Sequence, residues 1–277
     1  MIINKGDTYS ERINNSLILK EKGKIYFVSD VHLGVPTKEH SREREIRLIK
    51  WLDEAAKDAS EIYILGDLFD FWYEYKTVVP KGFVRLLGKL AELTDSGIKI
   101  TAFKGNHDMW MFGYFEEELN IPVISDELII ERNGKKIYLH HGDGIGPGDK
   151  TYKFLRAVFR NPICQWLFGR LHPNFGIGLA NFLSRKSRKA NKRDDKAYLG
   201  DEKEFTTLFC KEKLKKEHFD YFIFGHRHLP LEIELQENPK TIRSTYINLG
   251  DWVHYFTYAV FDGEEVRLKR EANTLLA

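Results

Sequence analysis

Cysteine is nearly absent from this chain of 277 residues: Cys164 and Cys210 are the two present, far apart and without a C-x-x-C spacing. That argues against a cysteine zinc site and for a reducing compartment. Long apolar runs are missing too. The longest are short and interrupted by charge, so no helix is expected to span a membrane. The opening residues, MIINKGDTYSERINNS, have no apolar stretch and no small-residue cleavage pattern, so a secretory signal is not expected. Internal repeats and low-complexity segments are also lacking. Net charge is small, +2, but its distribution is uneven. Between residues 150 and 200, twelve Lys or Arg stand against two acids, Asp194 and Asp195; that segment carries +10 and the remainder −8. A basic block inside an acidic chain calls for an anionic partner: phosphate, nucleic acid or lipid headgroup.

What is present supports one large α/β domain, or a core with an insertion, since 42% of the residues are hydrophobic. Residues 1–23 read as a polar arm with one weak strand at 17–19. Strands are expected at 24–29, 61–65, 98–103, 121–124, 127–131 and 136–141, with Asn133-Gly134 as a hairpin turn between the last two. Helices are expected at 39–58, where Ile46, Ile49, Leu52, Ala55 and Ala56 recur at helical spacing, and at 81–95, with Phe83, Leu86, Leu87, Leu90 and Leu93 on one side. Residues 144–216 read as helical, mixing apolar and basic stretches. Strands return at 221–225, 231–235, 245–249, 255–261 and 265–270. This order implies two packed sheets flanked by helices: a core of 1–143 and 217–277, with a helical lid, 144–216, inserted between strands.

Five short clusters sit where strands stop: Asp30-Val31-His32, Gly66-Asp67-Leu68-Phe69-Asp70, Gly105-Asn106-His107-Asp108, His140-His141-Gly142-Asp143 and Gly225-His226-Arg227-His228. Loops past strand ends converge readily on one site. Carboxylate, imidazole and amide oxygen are the donors that divalent Mn, Fe or Zn accept. Asp30, His32, Asp67, Asn106, His141, His226 and His228 supply seven, enough for a pair of metals sharing a carboxylate. In Asp30-x-His32 and His226-x-His228 an extended backbone would point both side chains to one face. Each pair alone is a common accident, and Asn106 alone would be a turn residue; five clusters in order after strands are not. His140 and His141 alternate, so one of them faces the metals; Gly142 favours His141. For Asp70 and Asp108, hydrogen bonding to a ligand or catalytic histidine and helix capping both stay open. His40, His172, His218 and His254 read as surface or packing residues.

These clusters resemble the calcineurin-like metallophosphoesterase superfamily over residues 24–262. The resemblance implies a four-layer α/β/β/α sandwich. It implies that Asp30, His32 and His228 hold one metal, that Asn106, His141 and His226 hold the other, and that Asp67 bridges them. It further implies metal-activated hydroxide attack on phosphorus, with His107 touching the phosphate or protonating the leaving group. Mn²⁺ or Fe²⁺ suits the donor set, and Zn²⁺ is possible.

A narrower resemblance is to the UDP-2,3-diacylglucosamine hydrolases of lipid A biosynthesis, carried by Asp30-Val31-His32-Leu33-Gly34, Gly66-Asp67-Leu68-Phe69-Asp70-Phe71-Trp72, His141-Gly142-Asp143 and the lid. It implies cleavage of the pyrophosphate to UMP and 2,3-diacylglucosamine 1-phosphate. Substrate contacts would then be Asn106, His107, His226, Asp149, and the lid's Ser187, Arg188, Asn191 and Lys192. Two departures stand out: His107 replaces an arginine of the best-known branch, and a family lysine falls on Asp194, where Lys192, Arg193 or Lys196 would substitute. The lid supports a lipid in its own way. Phe154, Leu155, Val158, Phe159, Ile163, Trp166, Leu167, Phe168, Leu171, Phe175 and Leu179 form an apolar face, followed by seven bases within 185–196. That pattern suits acyl chains and an anionic membrane, although such a stripe is also ordinary core packing. The expected enzyme is cytoplasmic and peripheral on the inner membrane, with a lipid-linked sugar nucleotide as substrate and no nucleic-acid or protein partner. The alternatives are a phosphodiesterase or nuclease of the same superfamily, and a non-catalytic docking protein. The complete ligand set argues against the last.

Overall fold

The computed structural model describes residues 23–146, 150–191, 198, 200, 203–235 and 243–272; at 151 and 185–191 it describes the backbone alone. The polar arm and its expected strand at 17–19 lie outside the described residues.

Strand β1 (Lys24–Val28) explains the layering. Its residues alternate between two apolar faces: Tyr26 and Val28 join one core cluster, Ile25 and Phe27 another. β1 pairs in parallel with β2 (Ala59–Ile64), which pairs in parallel with β3 (Lys99–Phe103), and β3 with the short β4 (Val123–Ile124). On its other side β1 meets β10 (Thr257–Phe261) antiparallel, and β10 meets β11 (Val266–Arg270). The six-stranded order is β11-β10-β1-β2-β3-β4.

A second sheet holds β5 (Leu128–Arg132), β6 (Lys135–His140), β7 (Tyr221–Phe224), β9 (Ser244–Leu249) and β8 (Pro230–Leu235), in that spatial order. β6, β7 and β9 are mutually parallel. The β5–β6 hairpin turns at Asn133 (φ 51°) and Gly134 (φ 74°), the two left-handed residues that this turn requires.

Between the sheets lie Phe27, stacked 5.5 Å from Tyr63, and Leu65 and Phe103, facing Ile137, Leu139, Ile223, Ile247 and Leu249. Helices α1 (Lys38–Ala55) and α2 (Val84–Asp95) cover the outer face of the first sheet. α2 buries the expected Leu86, Leu87, Leu90 and Leu93. α1 is rotated from expectation: Ile46 and Ile49 are only half-buried, while Arg44 and Arg47 are buried beside Leu48, Trp51 and Leu52. The reason is hydrogen bonding. Arg44 donates to the His32 and Val35 carbonyls, and Arg47 pairs with Glu271 beneath the Phe256 ring. A short helix, α3 (Tyr114–Leu119), precedes β4.

The insertion forms α4 (Lys150–Arg160), α5 (Pro162–Phe168) and α6 (Pro173–Asn191). Its expected boundary at 216 is wrong in one respect. α7 (Phe205–Leu214) packs Phe209 and Cys210 on the outer face of the second sheet, against Tyr138, Phe222, Phe224 and Tyr246. Those rings alternate with the inner-face residues of their strands and need a cover, so α7 is the fourth layer of the α/β/β/α core rather than part of the lid. Phe27→Ala is expected to cost about 3–5 kcal/mol, because it empties the centre of the inter-sheet layer; urea denaturation with an unchanged m-value checks it.

Candidate metal centre

β1, β2 and β3 run parallel, as do β6 and β7, so the loops after them leave at the same ends and meet. Asp30 and His32 follow β1, Asp67 follows β2, Asn106 follows β3, His141 follows β6, and His226 and His228 follow β7. The backbone there is not extended. Asp30 (φ 53°), His32 (48°), Asp67 (52°), His226 (65°) and His228 (56°) are all left-handed. The expected same-face alternation in Asp30-x-His32 and His226-x-His228 is therefore replaced by tight turns that swing both side chains inward. Left-handed non-glycine residues cost of order 1–3 kcal/mol each and persist where the surroundings enforce them. Here the enforcement is a ladder between loops. The Asp30 N–H donates to Gly66 O (3.1 Å), that of His32 to Asp67 O (2.9 Å), and that of Leu33 to Leu68 O (3.0 Å). Asp108 locks a third loop to the second, accepting from the N–H groups of Gly105 (2.8 Å), Leu68 (2.8 Å), Asp67 (3.2 Å) and Phe69 (3.3 Å). It thus joins two loops, and these bonds are to backbone rather than to a histidine or a helix end. The glycines answer to contact: a Cβ on Gly105 would lie 2.1 Å from Asp67 Oδ1, and one on Gly225 2.5 Å from Asp30 Oδ2.

Donor atoms of Asp30, His32, Asp67 and His228 lie within 4.8 Å of one another, and so do those of Asp67, His141 and His226. Asp67 belongs to both groups. His228 Nε2 is 3.3 Å from Asp30 Oδ1; His32 Nε2 is 3.6 Å and His141 Nε2 3.5 Å from Asp67 Oδ2. Asn106 Oδ1 stands 3.2 Å from His141 Nε2. Each carboxylate has one oxygen committed. Asp30 Oδ2 accepts from the His226 N–H (2.9 Å), and Asp67 Oδ1 from the His107 N–H (2.8 Å). The other oxygens, Asp30 Oδ1 and Asp67 Oδ2, are buried and accept no hydrogen bond within the described residues. Two buried carboxylate oxygens that accept no hydrogen bond among the described residues, with imidazoles beside them, form a place where a cation is strongly favoured. The mixed carboxylate, imidazole and amide set, without thiolate, fits a divalent metal.

The imidazoles are oriented from behind. His141 Nδ1 lies 2.7 Å from the Leu65 carbonyl, which can only accept, so Nδ1 carries a proton and Nε2 faces Asp67. Burial opposes charge on His141, but the Asp67 carboxylate outweighs it and pushes the group up to about 10. Burial, reinforced by His141, pushes His226 down to about 4. His140 is also driven down to about 4 by burial; its Nδ1 accepts from the Gly142 N–H (2.7 Å) and it belongs to none of these groups.

His228 is braced by Asp251, whose Oδ2 lies 3.3 Å from His228 Nδ1 and 2.9 Å from His254 Nδ1. Burial opposes ionisation of Asp251, yet those histidines hold it well below the usual carboxylate range. Sequence reasoning missed Asp251; His254, read as a surface or packing residue, is exposed, with Nδ1 on Asp251. The available signal was Gly250-Asp251 directly after β9, the same pattern as the five clusters.

His107 sits at the edge, its Nδ1 3.0 Å from the Asp70 carbonyl and 3.5 Å from Asp70 Oδ1. Of the expected lid contacts, Asp149 and Lys192 lie outside the described residues. Ser187, Arg188 and Asn191 fall in the last turns of α6, with their side chains outside the description. Ser184, which was not expected, donates to Asp70 Oδ2 (2.9 Å). The lid is docked at further points. Tyr152 and Arg156 meet Asp143 (2.7 and 2.8 Å), Trp110 donates to Phe159 O (2.8 Å), and Tyr73 donates to Gln165 O (2.7 Å). Phe168 packs among Phe71, Tyr73 and Trp110. Much of the expected apolar stripe is nonetheless exposed: Ile163 69%, Phe154 68%, Phe175 61%, Trp166 57%.

Residues 23–230 match the calcineurin-like phosphoesterase family model. A UDP-2,3-diacylglucosamine hydrolase of Porphyromonas gingivalis is 38% identical over 90% of this chain and 97% of its own length. One of Vibrio cholerae is 30% identical over 85% of this chain and 93% of its own. Among solved structures, the E. coli phosphoesterase Yfce covers 89% of this chain and 92% of its own at 15% identity, with a TM-score of 0.44. That likeness is too loose to add to the topology above.

Two outcomes are expected. Gly225→Ala, which drives a methyl into Asp30 without removing any donor, should weaken Mn²⁺ binding about tenfold or more; calorimetry measures it, with circular dichroism to check the fold. Metal uptake should also release a proton at pH 7, because the His141 Nε2 that faces Asp67 is protonated below about 10 and must become neutral to bind. Affinity should therefore rise with pH, and the binding enthalpy should vary with buffer ionisation enthalpy.

Proposed function

The chain belongs to the calcineurin-like phosphoesterase family, and from that premise we propose a metal-dependent hydrolase that cleaves the pyrophosphate of UDP-2,3-diacylglucosamine to UMP and 2,3-diacylglucosamine 1-phosphate. The carrying observation is the pair of donor groups that share Asp67, with Asp30 Oδ1 and Asp67 Oδ2 buried and without hydrogen bonds among the described residues. In this reading Asp30, His32 and His228 hold one divalent cation, Asn106, His141 and His226 the other, and Asp67 serves both. Mn²⁺ is the first candidate, with Fe²⁺ or Zn²⁺ as substitutes. Bound there, such ions activate water near neutral pH and neutralise charge developing on phosphorus oxygens.

The chain's own groups do the rest. The His107 N–H is committed to Asp67 and its Nδ1 to the Asp70 carbonyl, and in this reading its ring contacts the phosphate or protonates the departing oxygen. Asn106 and His226 would also touch substrate. Asp149, Ser187, Arg188, Asn191 and Lys192 would contact it from the lid.

Support for a lipid substrate comes from the relatives' names and from apolar side chains left exposed on helices docked beside the site. An apolar surface followed by seven bases within 185–196 suits acyl chains and an anionic bilayer. No helix among the described residues is long and apolar enough to cross a membrane; the proposed location is therefore peripheral, on the cytoplasmic face of the inner membrane. A nucleic-acid substrate would use the same bases but leaves the apolar lid unexplained.

The test is phosphorus-resolved product analysis with Mn²⁺. Wild type should release UMP, and Asp67→Ala should fall to background. His107→Ala should lose about 10²–10⁴-fold in turnover with metal content retained; loss of metal first would refute the role given to His107. Equal rates on acylated and unacylated sugar nucleotide would sink the lipid reading.

A further inference from the structure

A third group of donors lies beside the two that share Asp67: His32, Asp70 and His107. Asp70 is buried, and its Oδ1 lies 3.6 Å from His32 Nδ1 and 3.5 Å from His107 Nδ1. Its backbone carbonyl receives the His107 Nδ1–H at 3.0 Å, which selects the tautomer with Nε2 as the second nitrogen. One residue therefore holds both the back of His32 and the orientation of His107. The other carboxylate oxygen, Oδ2, is held from a different part of the chain. Ser184, on α6 of the lid and 114 residues away in sequence, donates its hydroxyl to it at 2.9 Å and stands 3.5 Å from His107 Nδ1.

We propose that Ser184 is a positioning residue for the reaction: docked α6 fixes the Asp70 carboxylate, and through it the ring of His107. The inference rests on the role given to His107 above. It links lid position to chemistry. With α6 in place, Oδ2 is tied by the serine hydroxyl, Oδ1 stays toward the two imidazoles, and His107 is held in one orientation. Without the Ser184 hydroxyl the Asp70 carboxylate loses that donor and can turn, so Oδ1 no longer stands fixed beside the two imidazoles although the Asp70 carbonyl still holds His107 Nδ1; turnover is therefore favoured with α6 docked. The hydroxyl is suited to this task because it supplies one donor on a short side chain, reaching a buried carboxylate without bringing a charge into the cluster.

The test is a double-mutant cycle in the full chain with Mn²⁺, run on UDP-2,3-diacylglucosamine and on bis(p-nitrophenyl) phosphate. Ser184→Ala should lower kcat about tenfold with KM and metal stoichiometry unchanged, Ser184→Thr should restore it, and Ser184→Ala should add no further loss in His107→Ala. In parallel, the ring ¹⁵N resonances of His107, assigned by their absence in His107→Ala, should move in the metal-free Ser184→Ala protein and stay in Ser184→Thr. Additive losses in the cycle, or an unmoved His107 resonance, would overturn the proposal. Cleavage of the diester without UMP release would reject the lipid substrate alone, and the cycle on the diester would still decide Ser184. If neither compound is cleaved, the resonances decide it.

Discussion

Asp67 carries one buried negative charge with two tasks, and much of the surrounding structure follows from it. One oxygen is used by the His107 backbone; the other lies among the His32 and His141 imidazoles and accepts no hydrogen bond among the described residues. A carboxylate removed from water in this way is tolerable only if a cation or several donors are brought to it. The left-handed turn at Asp67, the absent Cβ at Gly105, the four N–H bonds to Asp108 and the Leu65 carbonyl behind His141 all hold that oxygen and its neighbours in place. None of these features improves the core. They are local costs, offset by two sheets whose alternating faces are apolar on both sides.

The lid answers a different physical demand. Its attachments among the described residues are specific: Asp143 receives Tyr152 and Arg156, Arg160 meets Asp126, Trp110 and Tyr73 bind backbone carbonyls, and Ser184 reaches Asp70. Around these anchors large apolar side chains remain in water. A surface of that kind is expected of a segment that closes over something apolar, rather than one that only thickens the core. Charge is graded along the same segment, with seven of its twelve bases gathered within 185–196, at and after the end of α6. In the proposed reading, acyl chains meet the first part and phosphates the second.

Much of the fold was legible because parallel strands buried on both faces leave continuous apolar runs. Lys24–Val28, Ala59–Ile64 and Tyr221–Phe224 stand out for that reason, and Asn133-Gly134 announces its turn through the backbone angles that it alone accepts readily. The helix α1 was located, and Leu52 and Ala55 of its expected face are buried, but Ile46 and Ile49 are only half-buried. Arg44 and Arg47 are drawn inside by the His32 and Val35 carbonyls and by Glu271, partners that helical spacing does not reveal. α7 was read with the lid because its own pattern is weakly amphipathic; what assigns it to the core is the aromatic face of a sheet that no local window contains.

The sequence by itself determined which donors exist and that they follow strand ends. Seven candidate metal-donor side chains in five clusters could be read off because spacing and residue type are local properties. Tertiary structure alone decided how they meet. It divided the donors into two groups around one shared aspartate, bent five of them into left-handed turns, and placed Asp251 behind His228 and Ser184 against Asp70. These arrangements join residues tens to hundreds of positions apart, through hydrogen bonds whose partners are chosen by burial and packing. No periodicity along the chain encodes them.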